Sequence, residues 1–167
     1  MKRLFLVGFM GSGKTTSGKR IAEKYHLDFI DLDVYIEQRF HKSVSQIFAE
    51  KGEDGFRQVE RNMLLEVADF ENVVIAAGGG TPCFFDNMEV MNNAGETVYL
   101  KASPSDLCTY LKMNGTSKRP LVRDKSDAEL LDYITKTLAV REPFYAKAKH
   151  TVASDDFSDV LFDQLLA

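Results

Sequence analysis

Several groups of residues have types and spacings that suit chemistry on phosphate. The first is Gly8-Phe9-Met10-Gly11-Ser12-Gly13-Lys14-Thr15, which fits the pattern G-x-x-x-x-G-K-[ST] of a phosphate-binding P-loop. Each part has a task. The glycines let backbone N–H groups turn inward around phosphate oxygens. A helix opening at the end of the loop adds partial positive charge. Lys14 supplies a point charge to the β and γ phosphates of a nucleotide, and Thr15 offers a hydroxyl to Mg²⁺. The bland alternative is a glycine-rich turn in some other α/β fold.

Asp31-Leu32-Asp33 is the second group. Two carboxylates at the end of a strand sit where open α/β sheets bind ligands. One can hold Mg²⁺ through its water shell, and the other can accept a hydroxyl proton. Asp33 could instead simply cap the helix that follows. Gly78-Gly79-Gly80 is the third group. Three glycines in a row imply a backbone that something approaches closely, with N–H groups free to meet substrate oxygens; a turn with no ligand is the other reading.

Three arginines complete the set. Arg57 and Arg141, if they meet in one place, would form a fork for a planar carboxylate. Charge-assisted hydrogen bonds of this kind contribute about 1.5–3 kcal/mol each. Glu60, one helical turn beyond Arg57, is placed to orient it. Arg119 stands in the basic segment NGTSKRPL, where a guanidinium on a closing loop could stabilise the charge of a transferring phosphoryl group.

These residues need a scaffold that brings loop ends together. Short apolar runs alternate with helical patterns, which indicates βαβ units around a parallel sheet. The expected strands are Arg3–Val7, Phe29–Leu32, Asn72–Ala77, Thr97–Leu100 and Thr151–Ala153. NVVIAA at 72–77 is apolar almost throughout, as a strand covered on both faces must be. The expected helices run over Lys14–Tyr25, Tyr35–Phe40, Val44–Lys51, Phe56–Asp69, from Pro104 onward, Asp127–Ala148 and Phe157–Leu166. Ser103 and Pro104 supply the cap and first position of one of them, and Pro143 should kink or divide another. Asn114–Asp124 reads as a mobile loop.

The bulk properties narrow the class. A chain of 167 residues, 44% hydrophobic and 28% charged, suits one soluble domain with a sizeable core. A net charge of -4 argues against a broad nucleic-acid surface. Cys83 and Cys108 are too few for a disulfide framework and read as reduced, packed thiols of a cytosolic protein. The apolar run from Leu4 to Met10 has seven residues, includes Gly8 and leads into Lys14 without a cleavage-site pattern, unlike a signal peptide. No stretch approaches the ~20 apolar residues of a membrane helix.

With GSGKT at 11–15, DLD at 31–33, FRxxE at 56–60, GGG at 78–80, RPL at 119–121 and RxxxY at 141–145, the chain resembles the shikimate kinase family. The P-loop is shared by many nucleotide-binding proteins; the other five motifs are far more discriminating. The resemblance implies an α/β, three-layer P-loop NTPase fold over residues 1–167. Its five-stranded parallel sheet would be flanked by helices, with a mobile lid at approximately 112–124. It implies transfer of the γ-phosphoryl of ATP to the 3-hydroxyl of shikimate in the cytoplasm, as a step toward aromatic amino acids.

Carried over by position, Gly11, Ser12, Gly13, Lys14, Thr15 and Thr16 hold the nucleotide phosphates, and Thr15 and Asp31 serve Mg²⁺. Asp33 contacts the substrate hydroxyls and is the candidate base. Arg57 and Arg141 bind the carboxylate, Gly79 offers an N–H, and Arg119 is the lid arginine. The partners implied are ATP and shikimate alone, with no nucleic acid or membrane, and a monomer is the expected state. Two positions depart from the family: its adenine-facing arginine is Lys112 here, and the late adenine loop is not clearly matched in VASDDFS, 152–158. Gluconokinase or a nucleoside monophosphate kinase on the same fold is the nearest rival. A non-catalytic nucleotide switch is a more distant one, since no NKxD-like guanine-reading segment is present.

Overall fold

In the computed structural model the residues described are 2–114, 125–154 and 159–166. Strand β1 (Arg3–Val7) is buried at four of its five positions. It lies between β3 (Val73–Ala76) and β4 (Glu96–Lys101), while β2 (Asp28–Asp31) pairs with β3 and β5 (His150–Ala153) pairs with β4. The order is β2-β3-β1-β4-β5, and every pairing is parallel.

Alternation along β1 builds two cores, because successive side chains leave opposite faces of a strand. Leu4 and Leu6 pack with Val74, Val98 and Leu100 against Ile21 and Ala22 of α1 (Lys14–Lys24), and against Phe162 and Leu166 of α7 (Val160–Leu166). Phe5 and Val7 face the other way. They join Ile75 and Tyr99 with residues of α2 (Leu32–Phe40), α3 (Val44–Val67), α4 (Asn87–Ala94), α5 (Pro104–Asn114) and α6 (Asp127–Tyr145). Each large side chain so buried contributes about 1.5–3 kcal/mol, enough to hold the polar loops at the strand ends in fixed positions. No helix among the described residues is long and apolar enough to cross a membrane.

The register places the loops. Asp31 pairs with Ala76, and Ala76 with Leu6, so one row crosses three neighbouring strands just before their carboxyl ends. The P-loop, the DLD segment and the triple glycine leave from that row side by side.

Helix ends follow local chemistry. Asp31, not Asp33, caps α2: its Oδ1 accepts from the N–H groups of Asp33 at 3.0 Å and Val34 at 3.2 Å. The helix therefore begins at Leu32 rather than at Tyr35. Ser43 with Gln46 and Ser126 with Glu129 form capping boxes at the starts of α3 and α6. The two helices expected at 44–51 and 56–69 form one element interrupted at Gly52, whose φ of 71° is non-helical.

Three further expectations are corrected. A 3-10 turn (Thr81–Cys83) and α4 occupy a stretch with no expected element. Helix α6 carries Pro143 within it and ends at Tyr145 rather than at Ala148. Asn114 closes α5 rather than opening a loop; the remainder of the expected lid, with Arg119, lies outside the described residues.

Candidate active site

The loop between β1 and α1 wraps around its own lysine. Lys14 Nζ donates to the carbonyl oxygens of Gly8 at 2.5 Å and Phe9 at 3.0 Å, which fixes the ammonium inside the turn. Gly11 and Gly13 have φ of 85° and 88°, a left-handed conformation that side chains disfavour. The serine between them is buried, and its Oγ has no hydrogen-bond partner among the described residues. Thr16 is exposed on the first turn of α1.

Thr15 Oγ1 donates to Asp31 Oδ2 at 2.8 Å. Asp31 thus serves two masters, with one oxygen on the helix cap and the other on Thr15. A hydroxyl and a carboxylate oxygen side by side at the mouth of a phosphate loop are hard donors that suit Mg²⁺. Among the described residues no cluster of three or more His, Cys, Asp or Glu could hold a metal alone.

A cavity of about 130 Å³ opens here, lined by Gly11, Gly13, Lys14, Thr15, Asp31, Asp33, Gly78, Gly79 and Tyr110, among others. Gly78 and Gly79 of the triple glycine line it, and each of the three glycines is approached by a different functional group. A Cβ on Gly78 would lie 3.1 Å from Asp33 Oδ1. One on Gly79 would lie 3.3 Å from the backbone nitrogen of Met10 in the P-loop and 3.4 Å from an Arg141 nitrogen. One on Gly80 would lie 2.6 Å from an Arg57 nitrogen. A side chain would crowd its neighbours at Gly78 and Gly80 and fit tightly at Gly79, and so Asp33, Arg141 and Arg57 all converge on one run of backbone.

The two arginines are held by different means. Arg57 is 5% exposed and donates to Glu60 Oε1 at 3.0 Å, while its guanidinium lies 4.3 Å from the Phe84 ring centroid. Arg141 lies 5.5 Å from the ring of Phe9. Glu60 Oε2 accepts from Thr81 Oγ1 at 2.8 Å. Burial pushes the Glu60 carboxyl upward in pKa, and Arg57, Thr81 and Arg141 oppose this. Two guanidinium charges thus act on one buried carboxylate, which leaves the seat attractive to an anion.

Among the described residues the sequence-derived ones therefore assemble, except that Thr16 is exposed to solvent and Lys112 pairs with Asp127 at 3.3 Å. Other contributors emerge only in three dimensions. Tyr145, fully buried, donates its hydroxyl to the carbonyl of Gly79. Thr81 holds Glu60, and Phe84 underlies Arg57. Cys83 feels both arginines, yet burial pushes its thiol up to about 11. Only Tyr145 had a signal, as the last residue of RxxxY.

A family model described as shikimate kinase matches residues 10–167. The chain is 56% identical over 159 residues to the shikimate kinase of Phocaeicola vulgatus, covering 95% of this chain and 90% of the relative. It is 58% identical over 151 residues to that of Parabacteroides distasonis, covering 90% and 87%. The crystal structure of the enzyme from Bacteroides thetaiotaomicron superposes with a TM-score of 0.89 at 52% identity, covering 96% of this chain and 90% of that one. Shikimate kinase from Acinetobacter baumannii in complex with shikimate superposes with a TM-score of 0.86 at 28% identity, covering 100% and 96%.

Proposed function

The chain belongs to the shikimate kinase family, and from that premise we propose how its crevice moves the γ-phosphoryl group of ATP to the 3-hydroxyl of shikimate. Membership sets aside the gluconate, nucleotide and switch alternatives. The reading rests above all on the triple glycine, where Asp33, Arg141, Arg57 and the backbone of the P-loop come together.

Backbone N–H groups from Gly11 to Thr16 and the ammonium of Lys14 take the nucleotide phosphates. Thr15 and Asp31 hold Mg²⁺, which, when bound with ATP, neutralises charge on the phosphates. Arg57 and Arg141 receive the carboxylate of shikimate, and the N–H of Gly79 steadies it. Asp33 faces the hydroxyls. As the oxygen–phosphorus bond forms and the bond to the ADP oxygen breaks, Asp33 accepts the hydroxyl proton. Arg119 is assigned the charge of the transferring group by its place in the RPL motif. The protein's contribution is thus mostly positioning and electrostatics. The same reading makes the enzyme a single-domain cytoplasmic monomer, acting on free ATP and shikimate with no nucleic acid or membrane partner.

Two variants test the assignment in an ADP-release assay. Lys14→Ala is expected to lower kcat by roughly 10²–10³ or more while leaving the melting profile folded. Arg57→Ala is expected to raise the shikimate KM roughly 10–100-fold with the ATP KM within about twofold. Near-normal turnover in the first, or a change confined to the ATP KM in the second, would show the residues to be misassigned.

A further inference from the structure

Beyond the groups that face the crevice, an ion pair followed by a chain of hydrogen bonds runs from the surface to Arg57. It begins at Asp86, whose carboxylate lies 2.5 Å from the guanidinium of Arg61. Arg61 donates to Asn87 Oδ1 at 2.8 Å. The amide of Asn87 donates to the carbonyl of Thr81, also at 2.8 Å. Thr81 then donates to Glu60, and Glu60 holds Arg57.

Asn87 is the informative member. It is fully buried, as is Thr81, and a buried amide is retained only where its partners are in place. It grips the turn after the triple glycine twice. Its side chain takes the Thr81 carbonyl, and its backbone N–H takes the Phe84 carbonyl at 3.2 Å. Those two carbonyls bracket the segment that walls in Arg57. Phe84 stacks beneath the guanidinium, and Gly80, adjacent to Thr81, lies directly against it.

We propose that Asn87 is a positioning residue for recognition of the acid: by clamping the turn from Thr81 to Phe84, it sets where the Arg57 guanidinium meets the substrate carboxylate. The proposal rests on the reading of Arg57 given above. Arg61 in turn orients the Asn87 amide, so that its N–H₂ faces Thr81 and its oxygen faces outward.

Asn87→Asp is nearly isosteric. It keeps the acceptor for Arg61 but replaces the donor to Thr81 with an oxygen that the carbonyl repels. The expected result is a roughly tenfold rise in the shikimate KM, with kcat and the ATP KM within about twofold. A role in stability alone would reduce the active fraction without moving one KM selectively. Arg61→Met, a change at a partly exposed position that keeps most of the side-chain stem, is expected to raise the same KM by about threefold or more, and guards against a first variant that fails to fold.

Both variants are repeated on an Arg57→Ala background, where their effects should disappear because the group they position is gone. Unchanged shikimate KM in either single variant would overturn the proposal, as would a full additional rise on the Arg57→Ala background. If Arg57→Ala itself leaves the shikimate KM unchanged, the acid-seat assignment fails first and the role of Asn87 falls with it.

Discussion

A guanidinium binds a carboxylate well only if its plane is fixed beforehand, and for Arg57 the fixing is steric as much as electrostatic. Glu60 takes one nitrogen, Phe84 covers a face, and Gly80 lies against the edge. The backbone of Gly80 is ordinary, with φ of -94°, so any residue could adopt it. What excludes a side chain is space: a methyl there would sit 2.6–2.8 Å from three guanidinium atoms. Gly80→Ala is therefore expected to fold and to push Arg57 out of register. A displacement approaching 1 Å should raise the shikimate KM by about 10–100-fold, with the ATP KM unchanged. An unchanged shikimate KM would mean that Arg57 does not touch the acid. At this scale the sequence was informative where partners are close along the chain. The P-loop and the Arg57–Glu60 pair, three residues apart, could be read directly. Thr81, Phe84 and Asn87 could not, because each acquires its role from a contact with α3, more than twenty residues away.

At the scale of elements, Asp31 joins a helix start to the proposed Mg²⁺ site. One oxygen caps α2 and the other accepts from Thr15, so a single substitution confounds two effects and a pair separates them. Asp31→Ala removes the cap and should destabilise the free protein by about 1 kcal/mol, a fall in Tm of roughly 2–4 °C for a chain of this size. Asp31→Asn keeps a capping oxygen and should melt close to the parent, yet both variants should lose activity because the carboxylate charge is gone. Melting curves without ligand, set beside ADP-release rates, check this; equal loss of Tm in both would remove Asp31 from the cap.

The same scale shows why some elements were legible and others not. Buried parallel strands announce themselves as apolar runs, and Ser43 and Ser126 carry their capping partners three residues on. Helix α4 is only eight residues long, with Met88 and Met91 as its apolar face. It follows a segment whose Pro82 and paired aromatics suggest a loop; Gly95 at its end was the available signal. Pro143 does not divide α6 because it stands in the last turn, where its missing N–H costs one hydrogen bond and little helix remains to be bent. Strand order depends on which loops cross, and no local pattern encodes it.

For the whole molecule, the tension is between charge and burial. A chain of net charge -4 must bind two anions, and it does so by concentrating cations in one place. The fold also contains weak acids that resist ionisation. Burial is the largest cause pushing the Cys83 thiol from 9.0 to about 11, against the pull of Arg141 and Arg57. Burial likewise raises the phenols of Tyr99 and Tyr145, and Tyr25 and Tyr35 are also raised.

A group whose pKa is raised on folding binds more protons in the native state than in the unfolded one as pH climbs past its ordinary value. The slope of stability with pH is then negative. For the thiol, its stabilising contribution is complete below pH 9.0 and is lost as pH rises toward about 11; the phenols extend the loss above pH ~10. The parent protein should therefore lose Tm steadily between pH 8.5 and 10.5. Cys83→Ala should lose less over the same interval, because one of the protons released on unfolding has been removed. Thermal melts of the two proteins at matched ionic strength decide the matter. Parallel curves would show that the thiol titrates alike in both states, and that its surroundings are open to water.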